Sequence, residues 1–211
     1  MKTQDLIDRL ASDPTERWHF DRAFRWAIFV AILIAGAIFS IWIQVRPDFF
    51  HATQTIRFQI KFVVTLTTTF AAIGFARRAL QPGQRLDGWV LAPFMGPILL
   101  SAAVIFELCS TPSSIWIARL IGANSVTCLT LIPLMASGPL ICIILAFRRG
   151  APAHPGAAGV LAGLIASSIA ATFYAARCTD DSPLFVAIWY PLASALVMAA
   201  GYVLGLRFLR W

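Results

Sequence analysis

The residues able to do chemistry in this 211-residue chain are few, and four of them are thiols: Cys109, Cys128, Cys142 and Cys178. A thiol can close a disulfide or hold a thiophilic ion, and it attacks only as thiolate. Cys178 has the most suggestive setting, Arg-Cys-Thr-Asp-Asp-Ser-Pro, residues 177–183. Arg177 would lower its pKa and Asp180 would oppose that. Cys109 and Cys128 fall toward the same end of their apolar stretches as Cys178. Cys142 falls toward the opposite end, where a buried cysteine acts as a small hydrophobe. Three charges lie at the margins of apolar stretches: Lys61, Glu107 and Arg119. Their position near one surface, with Glu107 free to pair with Arg119 or Lys61, suits a structural cap better than a proton relay through a membrane centre. His19, His51 and His154 lie outside the apolar stretches, without metal-ligand spacing, and read as solvated side chains. No HExxH, GxSxG, phosphate loop or dinucleotide fingerprint is present. The expectation is a chain that is not an enzyme and has no cofactor and no metal site.

The elements that must position these residues are apolar helices. Hydrophobic types make up 59% of the chain and charged types 13%, against about 25% charged in an ordinary soluble domain. Six apolar stretches cover approximately residues 24–45, 58–76, 88–109, 121–147, 157–176 and 184–206. Each is long enough to cross ~30 Å of hydrocarbon at ~1.5 Å per residue. The expected fold is all-α: a polytopic six-helix transmembrane bundle over 24–211, preceded by a short N-terminal segment, 1–23. The third stretch contains Pro93 and Pro97 and the fourth Pro133 and Pro139, so both should bend. If the N-terminus is inside, twelve of the 17 Lys and Arg residues fall on the cytoplasmic side and five on the other, so both termini are expected in the cytoplasm. The net charge of +7 is accounted for by these flanking residues, which set topology and meet anionic lipid; direct nucleic-acid binding is not expected.

Two stretches suggest contacts. In the N-terminal segment, Thr3 can cap a short helix whose first turn carries Asp5, and Leu6, Ile7 and Leu10 make one apolar stripe. A helix of ten residues is marginal alone in water. It either lies on the membrane or folds into a partner's apolar groove. In the fifth stretch, Gly159, Gly163 and Ser167 recur every four residues, a stripe that admits close approach of another helix, chiefly within the bundle.

Residues 119–134, Arg-Leu-Ile-Gly-Ala-Asn-Ser-Val-Thr-Cys-Leu-Thr-Leu-Ile-Pro-Leu, resemble a segment of the NrsF family, negative regulators of sigma F. The same holds for Arg148-Arg-Gly-Ala-Pro, for the string from Arg177 to Ala187, for Trp189-Tyr, for the C-terminal Arg207-Phe-Leu-Arg-Trp and for the opening Met-Lys-Thr-Gln-Asp-Leu-Ile. The resemblance implies a six-span anti-sigma factor of the bacterial inner membrane. Such a protein holds an extracytoplasmic-function (ECF) sigma factor and releases it under oxidative or heavy-metal stress. By motif match it implies Cys128 and Cys178 as the sensing pair, with Asp5, Leu6, Ile7 and Leu10 as the contact for the sigma factor. Arg177 stands where the family pattern has histidine; arginine favours a thiolate but cannot ligate metal. Two other classes compete. A small transporter or channel would need a polar path across the midplane. An intramembrane thiol redox enzyme would need a quinone or thiol substrate, for which Cys109 could supply a further thiol.

Overall fold

The computed structural model describes residues 14–80, 88–150 and 152–210, with side chains from residue 20. Among the described residues there is no strand, and six helical segments are long and apolar enough to cross a membrane, as expected for a multi-pass membrane protein. The six-helix bundle read from the sequence is the fold observed.

The first span is α1 (Pro14–Ile38), which widens into a π-turn at Phe39–Ile43. Its helix starts ten residues ahead of the apolar run at 24, with proline in its first turn, where the missing N–H costs nothing. Gln44 ends the span at φ +58°, a strained conformation for a residue with a Cβ. The chain then turns through the short α2 (Phe49–Ala52) into α3 (Ile56–Ala79), the second span. The third begins as a 3-10 turn, Trp89–Phe94, containing Pro93, and becomes α4 (Met95–Ser110).

The fourth span is two helices, α5 (Trp116–Ile121) and α6 (Ser125–Phe147). Pro133 and Pro139 lie inside α6, and the interruption falls instead at residues 122–124. Gly122 has φ +58° there, and a Cβ on it would come within 2.5 Å of the Phe185 ring and 2.8 Å of the Asp180 carboxyl. Only glycine fits that corner. The fifth and sixth spans are α7 (Pro155–Ala175) and α8 (Pro183–Phe208), each opened by a proline in its first turn.

α7 is the axis of the bundle, with most of its residues buried. It meets α8 at van der Waals limits: a Cβ on Gly159 would come 2.1 Å from the Gly201 carbonyl oxygen, and one on Gly163 2.6 Å from the Met198 Cα. The stripe of small residues is therefore an intramolecular face, matched on α8 by Gly201 and Gly205. α1 packs on α6 through a ring ladder of Phe20, Phe24 and Phe147, with centroids 5.8 and 5.6 Å apart. The large side chains left outside, Trp26, Phe29, Leu33, Phe70 and Ile105 among them, form the belt expected of a surface bathed in lipid.

Candidate functional site

The loop between α7 and α8, residues 176–182, carries Cys178 and is tied to three other spans. Cys178 is 1% exposed and Cys128 fully buried. The backbone N–H of Cys178 donates to the Tyr174 carbonyl, 3.0 Å, and its thiol to the Asp180 carbonyl, 3.7 Å.

The first tie is to α6. The Asp180 carboxylate accepts from the backbone N–H of Ala123 (3.0 Å) and Asn124 (2.8 Å) and from the Asn124 side chain (2.9 Å). It pins the turn just ahead of the helix from another part of the chain and places an anion near the helix N-terminus, where the dipole favours one. Cys128 sits one turn into that helix, its N–H donating to the Asn124 carbonyl at 2.8 Å. Asp180 thus fixes the Cys178 loop against the turn that holds Cys128.

The second tie is to α3. Lys61 is 1% exposed; it pairs with Asp181 at 2.5 Å and donates to the Cys178 carbonyl at 2.9 Å. It stands 5.3 Å from the Phe58 ring centroid. The third tie is to the turn after the first span. Arg46 pairs with Asp181 at 2.9 Å and Asp48 at 2.6 Å, and donates to the same Cys178 carbonyl at 3.3 Å. The strained backbone at Gln44 delivers Arg46 to this place. Two cations thus converge on one carboxylate and one carbonyl, which is how a low-dielectric interior keeps charge.

Burial and the charges around the loop act on the Cys178 thiol in opposite directions. Burial pushes the Cys178 thiol up, partly opposed by the Lys61 charge. Arg177 is exposed; the cation that acts on Cys178 is Lys61, from another span. The Arg46 guanidinium holds Asp48 down to about 2.

Two tyrosines complete the surroundings. Tyr174 and Tyr190 stack obliquely, centroids 6.0 Å apart. The Tyr190 hydroxyl is buried without a hydrogen-bond partner, and the Tyr174 carbonyl accepts from the Cys178 backbone N–H at 3.0 Å. Nothing in the sequence alone singles them out. The only signal is their helical placement, Tyr174 one turn before Cys178 and Tyr190 two turns into α8.

The other charges form a second cap. Glu107 pairs with Arg119 and with Arg57, the latter at 3.0 Å, and Arg119 also reaches the Thr111 hydroxyl at 2.9 Å. The expected partner Arg119 is there, and Arg57 takes the place open to Lys61, which Asp181 holds instead. Cys109 is exposed and Cys142 half-buried near α1, all four thiols being free. His51 and His154 are exposed, and no group of three metal-ligating side chains occurs among the described residues. Asp5, Leu6, Ile7 and Leu10 lie outside the described residues. The helix C-terminal to them is anchored at the far end of the bundle, where Asp21 of α1 pairs with Arg77 of α3 at 2.9 Å.

A family model described as negative regulator of sigma F, NrsF, matches residues 10–211. Over the whole of both chains, this sequence is 27% identical to the anti-sigma-F factor NrsF of Caulobacter vibrioides (strain NA1000 / CB15N). It is 28% identical, again over the full length of both, to the probable anti-sigma-F factor NrsF of Azospira oryzae (strain ATCC BAA-33 / DSM 13638 / PS). No solved structure matches the chain.

Proposed function

The chain belongs to the NrsF family of negative regulators of sigma F, and on that ground we propose that it is an anti-sigma factor of the bacterial inner membrane. It holds an ECF sigma factor at the cytoplasmic face and releases it when oxidative or heavy-metal stress modifies Cys128 and Cys178. Residues 1–23 dock the sigma factor through Asp5, Leu6, Ile7 and Leu10, and residues 24–211 are the transmembrane device. The positive-inside count supports both termini in the cytoplasm, which sets the thiols toward the periplasm.

One observation carries this reading: the loop that holds the buried Cys178 is tied by hydrogen bonds to the turn before α6, the helix of the buried Cys128, and by ion pairs to α3 and to the turn after the first span. A bond or adduct at those sulfurs has to move the loop. Moving the loop changes what Asp180, Asp181 and the Cys178 carbonyl can hold, and so biases α6, α3 and the first span together. Release requires the two arrangements of the bundle to bind the sigma factor with different affinity. A shift from nearly all bound to nearly all free needs about 5.5 kcal/mol of difference. Breaking a buried ion pair, at about 3–5 kcal/mol, is of that order.

The test is co-purification of candidate ECF sigma factors with the wild type and with Leu6→Asp/Leu10→Asp. The wild type should retain one of them and the double variant should lose it. If the wild type retains none, the reading fails. Cys128→Ser and Cys178→Ser should each abolish stress-induced transcription; an unchanged response in both removes the thiols from the mechanism.

A further inference from the structure

Two hollows adjoin on α1, at the end of the bundle away from Cys178. One, of about 470 Å³, lies between α1 and α6, with Arg22, Trp26 and Val30 on one wall and Cys142, Leu145 and Arg149 on the other. The second, of about 440 Å³, shares Arg22 and Trp26 with it and adds Arg25 and Phe29. The two helices are packed together here by the buried rings of Phe24 and Phe147, centroids 5.6 Å apart. The chain leaving α6 turns against α1, and a Cβ on Gly150 would come 3.0 Å from the Phe20 ring. That turn carries Arg149 to the hollow that Arg22 lines.

Both walls have the same order. Arg22, Trp26 and Val30 recur every four residues, so they share one face of α1 and descend ~12 Å toward the middle of the span. Back from Arg149, Leu145 and Cys142 descend in the same sense. Arg22, Trp26, Val30, Leu145 and Arg149 are all exposed. Among the described residues, no carboxylate pairs with Arg22 or Arg149. Two uncompensated guanidinium groups therefore stand over an aromatic ring and aliphatic side chains.

That sequence of polarities complements one kind of molecule. A guanidinium fork matches phosphate oxygens, and tryptophan favours the level of lipid headgroups. An acidic protein in the water would satisfy the arginines and leave Val30 and Leu145 uncovered. An uncharged lipid would do the reverse. In the proposed orientation this end faces the cytoplasmic leaflet, whose lipids are anionic.

We propose that the hollow between α1 and α6 is a site for one anionic phospholipid. Its phosphate sits between Arg22 and Arg149, and its acyl chains run down either side of Trp26, one along Val30 and Leu145 and one over Phe29. The lipid bridges α1 to the end of α6. The site is independent of the thiols and of the sigma factor.

The experiment is native mass spectrometry of the full-length protein in mild detergent, with phosphatidylglycerol or phosphatidylcholine of the same chains added. One phosphatidylglycerol should be retained per chain, and phosphatidylcholine about tenfold less. Arg22→Gln/Arg149→Gln should lower retention of phosphatidylglycerol by about tenfold or more. Arg207→Gln/Arg210→Gln removes the same charge from exposed arginines outside the hollow and should leave retention unchanged. Trp26→Ala should weaken it several-fold. If the first double variant does not fold, Arg22→Gln and Arg149→Gln carry the comparison singly, each with a several-fold loss. Equal losses in the two double variants overturn the proposal, because the attraction is then that of net charge. Wild-type retention in Arg22→Gln/Arg149→Gln overturns it as well. So does competition by glycerol phosphate at the concentration where phosphatidylglycerol binds, which would make this a phosphate site without a role for the chains. If Arg22→Gln/Arg149→Gln keeps the lipid and sheds a co-purifying sigma factor, the arginines serve a protein partner and the lipid site falls.

Discussion

At the scale of single residues, exposure separates the ion pairs that matter from those that do not. Asp181 serves Lys61 and Arg46, with 19% of its side chain exposed, while Asp48 serves Arg46 alone and is 53% exposed. Asp181→Asn leaves Lys61 charged and buried, and should destabilise the protein by about 3–5 kcal/mol. Asp48→Asn, at an exposed carboxylate, should cost far less. Denaturation midpoints in mild detergent would rank them; equal effects would show that Lys61 finds water. The Cys178 thiol is raised by burial and lowered by Lys61, so Lys61→Met should move the midpoint of its alkylation rate to still higher pH. A thiol with a raised folded pKa contributes fully to stability below the unfolded value, about 8.5, and that contribution is lost as pH rises past it. The thiols themselves were legible in the sequence. Their electrostatic setting was not, because Arg177 is adjacent in the chain yet exposed, whereas Lys61 is 117 residues off and within 2.9 Å of the Cys178 carbonyl.

At the scale of elements, the six spans were legible because lipid forces long apolar helices, and a 20-residue run shows in any window. Breaks inside spans were less so. Four prolines drew attention, but the fourth span parts at Gly122, where a carboxylate from the α7–α8 loop occupies the space of a side chain. A contact between distant segments leaves no local signature. The same limit hid the second half of the α7–α8 contact: the stripe at Gly159 and Gly163 was plain, while Gly201 and Gly205 became its partners only when the helices were placed together. Gly201→Leu would drive a side chain into the Gly159 carbonyl, 2.3 Å from where a Cβ would sit. Overpacking against backbone should cost about 3 kcal/mol. A thermal midpoint unchanged from wild type would mean that the two helices separate freely.

At the scale of the whole molecule, the ion pairs among the described residues gather at its two ends. One end holds Cys178, Lys61, Arg46 and Glu107. The other holds Asp21, Arg77 and Arg78, the last stacked 4.4 Å from the Trp89 ring centroid. This arrangement opposes the transporter reading, which needs polar groups in between. In the proposed orientation Cys109 is exposed near the periplasmic margin. A membrane-impermeant maleimide should therefore label it in intact cells stripped of outer membrane, and sealed inverted vesicles should protect it. Labelling in the inverted vesicles instead would reverse the topology.

α3 joins the two ends: Lys61 and Arg77 stand sixteen residues apart on it, ~24 Å along the axis. Its two attachments differ in kind. Lys61 is buried in its contact, whereas Arg77 is 47% exposed where it meets Asp21. Dissolved ions screen the second and barely reach the first. The helix is thus a beam clamped at one support and resting on an adjustable one, next to the chain that leads into residues 1–13. In the proposed orientation, with residues 1–23 as the proposed docking segment, ionic strength on that side becomes a gain control, setting how much of a movement at the clamp reaches the partner.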